Sequence, residues 1–100
     1  MVWWLKAAER GKPEAQNKIG LAYYLGYGGL KKDLAKAIEW WREAAERNHA
    51  EAQFHLGELY LVGEGLPKDL AKALEWLKKA ADQGDPDAKK LLEEILTSAK

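Results

Sequence analysis

The sequence predicts an all-α fold, a short solenoid of about five helices arranged as stacked pairs with half-repeats at both ends. Three observations point there. The chain repeats itself with a period of 36 or 37 residues, within the range of helical arrays. Alanine, leucine, lysine and glutamate dominate, and these residues favour helix. Apolar side chains recur at 3.6-residue spacing between glycines placed to end a helix.

The repeat is legible by alignment. Ala15–Ala50 superimposes on Ala52–Pro86 with 17 identities over 35 positions, once a single glycine of "GYGGL" is treated as an insertion. The shared skeleton is A-Q, L/I-G, Y, G, G, L, K-D-L-A-K-A, E-W and A-A. The opening "WWLKAAERGKPEAQ" superimposes on "WWREAAERNHAEAQ" at Trp40–Gln53. Trp3 and Trp4 are thereby the counterparts of Trp40 and Trp41. The predicted organisation is one domain over 1–100. Residues 1–12 are the second helix of a truncated repeat, 13–49 and 50–85 are repeats, and 86–100 form a capping helix.

Each element follows from local chemistry. The first helix of each repeat is expected at roughly Pro13–Leu25 and Ala50–Val62, ended by Gly26 and Gly63 in a left-handed stop. The second follows Asp33 and Asp69, acids suited to cap a helix or oppose its dipole. Leu34, Ala37, Ile38, Trp41, Ala44 and Ala45 then share one face, which Leu70, Ala73, Leu74, Leu77, Ala80 and Ala81 reproduce. Gly84 stops that helix and Pro86 opens the last. Gly20 and Gly57 stand inside helices, where glycine costs about 1 kcal/mol against alanine. A costly glycine that recurs predicts a tight helix crossing. In the last helix Glu93 and Leu96 replace the glycine and tyrosine, and Lys89, Lys90, Glu93 and Glu94 predict a wet outer face.

The string "AEAQFHLGELYLVGEGLPKDLAKALEWLKKAADQGD" resembles the Sel-one-like repeat, a relative of the tetratricopeptide repeat. The matching positions are Ala52, Leu56-Gly57, Tyr60, Gly63, Gly65, Asp69, Ala73, Trp76, Ala80-Ala81 and Gly84. Ala15, Ile19-Gly20, Tyr23, Gly26, Gly28, Asp33, Ala37, Trp40 and Ala44-Ala45 match in the earlier unit. The resemblance implies a right-handed α/α superhelix of antiparallel helix pairs that holds protein or peptide partners on its concave face. Asn48 departs from the pattern, standing where the repeat has glycine. A chain that opens in mid-repeat with balanced charge reads as an excised or engineered piece.

Composition excludes several functions. Sixteen basic side chains balance sixteen acidic ones, so no electrostatic footprint for nucleic acid appears. No apolar run reaches membrane-spanning length, and no signal segment opens the chain, which makes cytoplasm (or recombinant expression, for an engineered piece) the default address. The absence of cysteine removes disulfides, thiolate metal sites and a cysteine nucleophile. His49 and His55 lack the spacing of a metal-binding helix and read as structural or solvated. "GYGGLKK" has the wrong spacing for a phosphate loop and no preceding strand. The expectation is no enzyme, no cofactor and no metal.

The aromatics divide by position. Trp4 and Trp41 fall in the apolar stripe and read as core, whereas Trp3, Trp40 and Trp76 flank it. Tyr23 and Tyr60 recur and read as packing between helices. Residues that only hold the stack together should recur, whereas those serving a partner need not. The non-recurring apolar residues Leu21, Tyr24, Tyr27, Phe54 and Leu61 are therefore the predicted partner-binding face. The alternative is self-assembly: an uncapped edge around Trp3 and Trp4 that pairs with a copy of the chain into a homodimer or larger homo-oligomer.

Overall fold

Glycines and aspartates placed at matching points of the two repeats divide the described residues from Pro13 onward into five helices of equal length. The computed structural model describes residues 6, 8–26 and 28–98, so expectations resting on Trp3, Trp4 and Tyr27 lie outside the described residues. The helices are α1 (Pro13–Leu25), α2 (Leu34–Glu46), α3 (Ala50–Val62), α4 (Leu70–Asp82) and α5 (Pro86–Ser98). Lys6, Ala8 and Glu9 are helical as well and lead into the turn at Arg10 and Gly11. No strand occurs among the described residues.

Helix ends are built as the side chains dictate. Asp33 and Asp69 are N-caps, each carboxylate accepting from the backbone N–H three residues on, at Lys36 and Lys72, both at 3.1 Å. Gly26 and Gly63 take φ of 73° and 76°, and their N–H groups donate to Ala22 and Leu59 carbonyls at 2.7 and 2.8 Å. The chain then doubles back, because Asp33 N–H reaches the Tyr23 carbonyl and Asp69 N–H reaches that of Tyr60. Asn48 adopts φ 68° at the point where Gly84 has φ 94°. Asparagine is among the few side chains that tolerate this region, which accounts for the departure noted in the sequence.

Thirteen helical residues span about 20 Å. The molecule measures 46 × 24 × 17 Å, so the helices lie across its long axis and stack along it. Adjacent helices are the principal packing partners: α1 with α2, α2 with α3, α3 with α4, and α4 with α5. The larger core joins Ala37, Ile38, Trp41, Ala44 and Ala45 of α2 to Ala52, Leu56 and Leu59 of α3. A smaller cluster seats Ala8 against Ala15 and Ile19.

Gly20 and Gly57 are the crossing points. A Cβ on Gly20 would stand 2.6 Å from Trp41 Cδ1, and one on Gly57 would stand 2.7 Å from Leu77 Cγ. Each glycine thus admits the large side chain that fills its own hairpin.

The predicted apolar faces are buried unequally. Leu34 is half-buried, whereas Leu70 at the matching position is 51% exposed. The difference comes from the following loop, which brings Gly65 hard against the Leu34 side chain. No such loop covers Leu70 among the described residues. The outer face of α5 carries Lys89, Lys90, Glu93 and Glu94 in the open, as its sequence predicts, with Leu96 60% exposed beside them.

Candidate functional site

Three aromatic rings define the centre of the candidate site. Trp41 is 2% exposed on α2, and its indole N–H donates to the Asn17 carbonyl of α1 at 3.2 Å. That bond satisfies the one polar atom of a buried indole and fixes the plane of the ring. Tyr24 of α1 lies tilted against it at 5.4 Å between centroids. His55 of α3 stacks on it at 4.5 Å and 24°. Phe54 borders the group through His55, at 5.9 Å.

Around these rings α1 and α3 leave a groove of about 320 Å³. Leu21, Tyr24 and Leu25 form the α1 wall, and His55, Glu58, Leu59 and Val62 form the α3 wall. Trp41 lies at the base between them, and Glu64 reaches in from the loop after α3. Leu25 and Val62, at equivalent positions of the two repeats, are 56% and 64% exposed and make an apolar rim. Both carboxylates of the groove lie on the α3 side, and no lysine or arginine lines it among the described residues.

The local field is negative. Burial, followed by the charge of Glu64, the phenol's hydrogen bond to it and the charge of Glu58, raises the Tyr24 phenol above its ordinary value of 10.0. His55 Nδ1 lies 3.8 Å from Glu58 Oε1. By contrast, a second depression of about 280 Å³ between Tyr23, Lys36, Glu39, Trp40 and Glu43 carries charges of both signs. Lys36 there sits over the Tyr23 ring at 5.4 Å.

Of the five residues expected on the partner face, Leu21 and Tyr24 line the groove. Phe54 and Leu61 are half-buried and do not line it, and Tyr27 lies outside the described residues. Sequence reasoning passed over the α3 wall. His55 read as structural, and Leu59 and Val62 were not placed on the partner face; the signal was that both vary between the repeats, with Ala22 and Leu25 at their places.

A set of buried amides ties each wall helix to the helix before it. Gln16 and Gln53, each 1% exposed, recur at one repeat position. Gln16 donates to the Ala8 carbonyl and Gln53 to the Ala45 carbonyl, both at 3.1 Å. Each amide thus ties a repeat to the helix before it. Gln83 adds a bond to Gln53 Oε1 at 2.9 Å, and the amides of Gln53 and Gln83 both approach Asn48 Oδ1, at 3.3 and 3.4 Å. The recurring A-Q pair was visible in the sequence, but its role was not.

No described helix is long and apolar enough to cross a membrane. No group of three or more histidine, cysteine, aspartate or glutamate side chains is arranged to hold a metal among the described residues.

Paired 13-residue helices, glycine crossings and a groove between equivalent helices of neighbouring pairs define the class: an α/α repeat solenoid. Within it, the chain belongs to the Sel1 repeat family, whose model matches residues 1–12, 13–49 and 50–85. Repeats of this family are generally protein-interaction scaffolds and typically non-enzymatic. A protective antigen of uropathogenic Escherichia coli displaying an SLR fold, c5321, superimposes with a TM-score of 0.91 at 38% identity, over 98% of this chain and 21% of the antigen. The present chain thus spans about a fifth of that protein. A Sel1 repeat protein from Oxalobacter formigenes gives 0.88 at 41% identity, covering 92% of this chain and 68% of its own. Cysteine rich protein B of Helicobacter pylori gives 0.83 at 29% identity, over 90% and 67%. No curated protein sequence matches the chain.

Proposed function

We propose that this chain is a non-enzymatic scaffold that holds a protein or peptide partner in the groove between α1 and α3. The observation that carries this reading is the groove itself: an open apolar trough with a stacked aromatic base, walled by two successive repeats. Such a trough supplies contact area and shape, which is what binding needs, and the described residues around it offer no nucleophile beside a base. Leu21 and Tyr24 anchor the partner, while Phe54 extends the surface beyond His55 and Leu61 flanks it.

The test is a two-dimensional amide NMR titration with short synthetic peptides carrying one leucine or phenylalanine in a polar background. Amides of Leu21, Tyr24, Glu58 and Leu59 should shift, those of Lys90 and Glu93 on α5 should not, and Leu21→Glu should remove the response. Shifts spread over α5 instead, or none at all, would discard the groove as the docking site. The competing expectation, a homo-oligomer paired through Trp3 and Trp4, falls outside the described residues. Sedimentation over a concentration series separates it, because a concentration-independent monomer excludes it.

A further inference from the structure

We infer that the groove between α1 and α3 selects a cationic peptide segment, in which one large apolar side chain enters over Trp41 and a neighbouring lysine or arginine pairs with Glu58 and Glu64. This deepens the scaffold reading above and rests on it.

Size sets the first limit. About 320 Å³ is at the lower end of the range for small-molecule sites. A cleft of that volume takes one or two side chains, so the partner is engaged through a short anchor and not along a long segment. The base and α1 wall are apolar, from Trp41, Leu21 and Leu25, so the anchor is apolar as well.

Charge sets the second. The chain as a whole is neutral, with sixteen charges of each sign, yet the groove holds two carboxylates and no cation among its lining residues. Both acids belong to one side, the α3 wall and its loop, and both are exposed, Glu58 beside His55 and Glu64 accepting from the Tyr24 phenol. Glu58 is also the place where the repeat departs from its neighbour, since Leu21 occupies the equivalent position on α1. The aliphatic residues of the α1 wall therefore offer apolar surface alone, while the α3 side adds charge to it, which orients a ligand carrying both. The Tyr24 phenol, raised first by burial and then by Glu64 and Glu58, lies beside the same two acids. An anionic segment meets repulsion here, and a neutral one forgoes the pairing.

The experiment uses the full chain and three amidated, acetylated hexapeptides of equal length: one alternating leucine with arginine, one leucine with glutamine and one leucine with glutamate. Amide shifts of Leu21, Tyr24, Glu58 and Leu59 give each affinity at low and moderate salt. The arginine peptide should bind most tightly, weaken as salt rises, and lose about five- to tenfold in Glu58→Gln/Glu64→Gln, as expected for two exposed ion pairs. Both positions are exposed, so this variant should keep its helical circular dichroism. The glutamine peptide should bind the variant and the parent alike. Equal binding of all three peptides in the groove, or an arginine affinity indifferent to the double substitution, overturns the charge selection while leaving the docking site standing. Failure of every peptide to move the groove amides overturns both.

Discussion

Repeat 13–49 and repeat 50–85 share a frame and differ in what the frame carries. Gly20 and Gly57 open the same close crossing, Asp33 and Asp69 make the same cap, and Gln16 and Gln53 make the same tie to the preceding helix. Yet Trp41 fills the crossing of the first and Leu77 that of the second. Leu21 and Tyr24 of the first give way to Glu58 and Leu61 in the second. Positions that set the backbone recur because one geometry must be made twice. Positions that meet the groove do not recur, because the groove has two unlike walls.

The sharpest way to break this comparison is to empty a crossing. Trp41→Ala removes a buried indole and should cost about 3–5 kcal/mol, most of the stability of a small domain, read from thermal or urea unfolding. Trp41→Leu, which copies the second repeat into the first, should cost less and abolish the contacts with Tyr24 and His55.

Next in size are the two glycines. Gly20→Ala and Gly57→Ala force a methyl to within 2.6 and 2.7 Å of carbon atoms in Trp41 and Leu77. Overpacking of this kind costs about 1–3 kcal/mol, against up to about 1 kcal/mol regained from alanine's helix propensity. Net destabilisation is expected at both sites, and a rise in melting temperature at either would show that the crossing is slack.

Smaller again are the caps. Asp33→Ala and Asp69→Ala should each lose about 1 kcal/mol, and by nearly equal amounts, since the two bonds have the same length. Unequal losses would mean that the two loops differ in strain.

The smallest effect is a pH dependence centred on Tyr24. The folded Tyr24 phenol titrates above its unfolded value, so the native state keeps its proton where the unfolded chain gives it up. Its contribution is present in full below the unfolded value of 10.0 and fades as pH rises through the higher folded one. Tyr24→Phe should therefore flatten the fall in stability above about pH 10, measured by unfolding at several pH values. An identical alkaline fall in both proteins would remove Glu64 and burial as the cause.

Much of the frame was readable before any coordinates. The bounds Pro13–Leu25 and Ala50–Val62 followed from a proline or alanine start and a glycine stop, because backbone conformation there depends on single residues. The glycine crossings were readable because a costly residue recurred. The site was only half readable. Comparing repeats flags which side chains vary, and so found Leu21 and Tyr24, but variation does not reveal which way a side chain points. Phe54 and Leu61 vary and lie outside the groove, while Leu59 and Val62 vary as well, against Ala22 and Leu25, and line it. Gln53 escaped because a polar residue on a helix reads as surface until the carbonyl that receives it is known.

That glutamine has a consequence for recognition. The two walls of the groove belong to successive hairpins, so its width is the angle between them; the bond of Gln53 to the Ala45 carbonyl spans the two hairpins, and Gln83 braces the Gln53 amide from within the second. A cleft kept at working width spares an incoming ligand the entropy of organising it. Affinity can then be tuned by an amide that never touches the ligand.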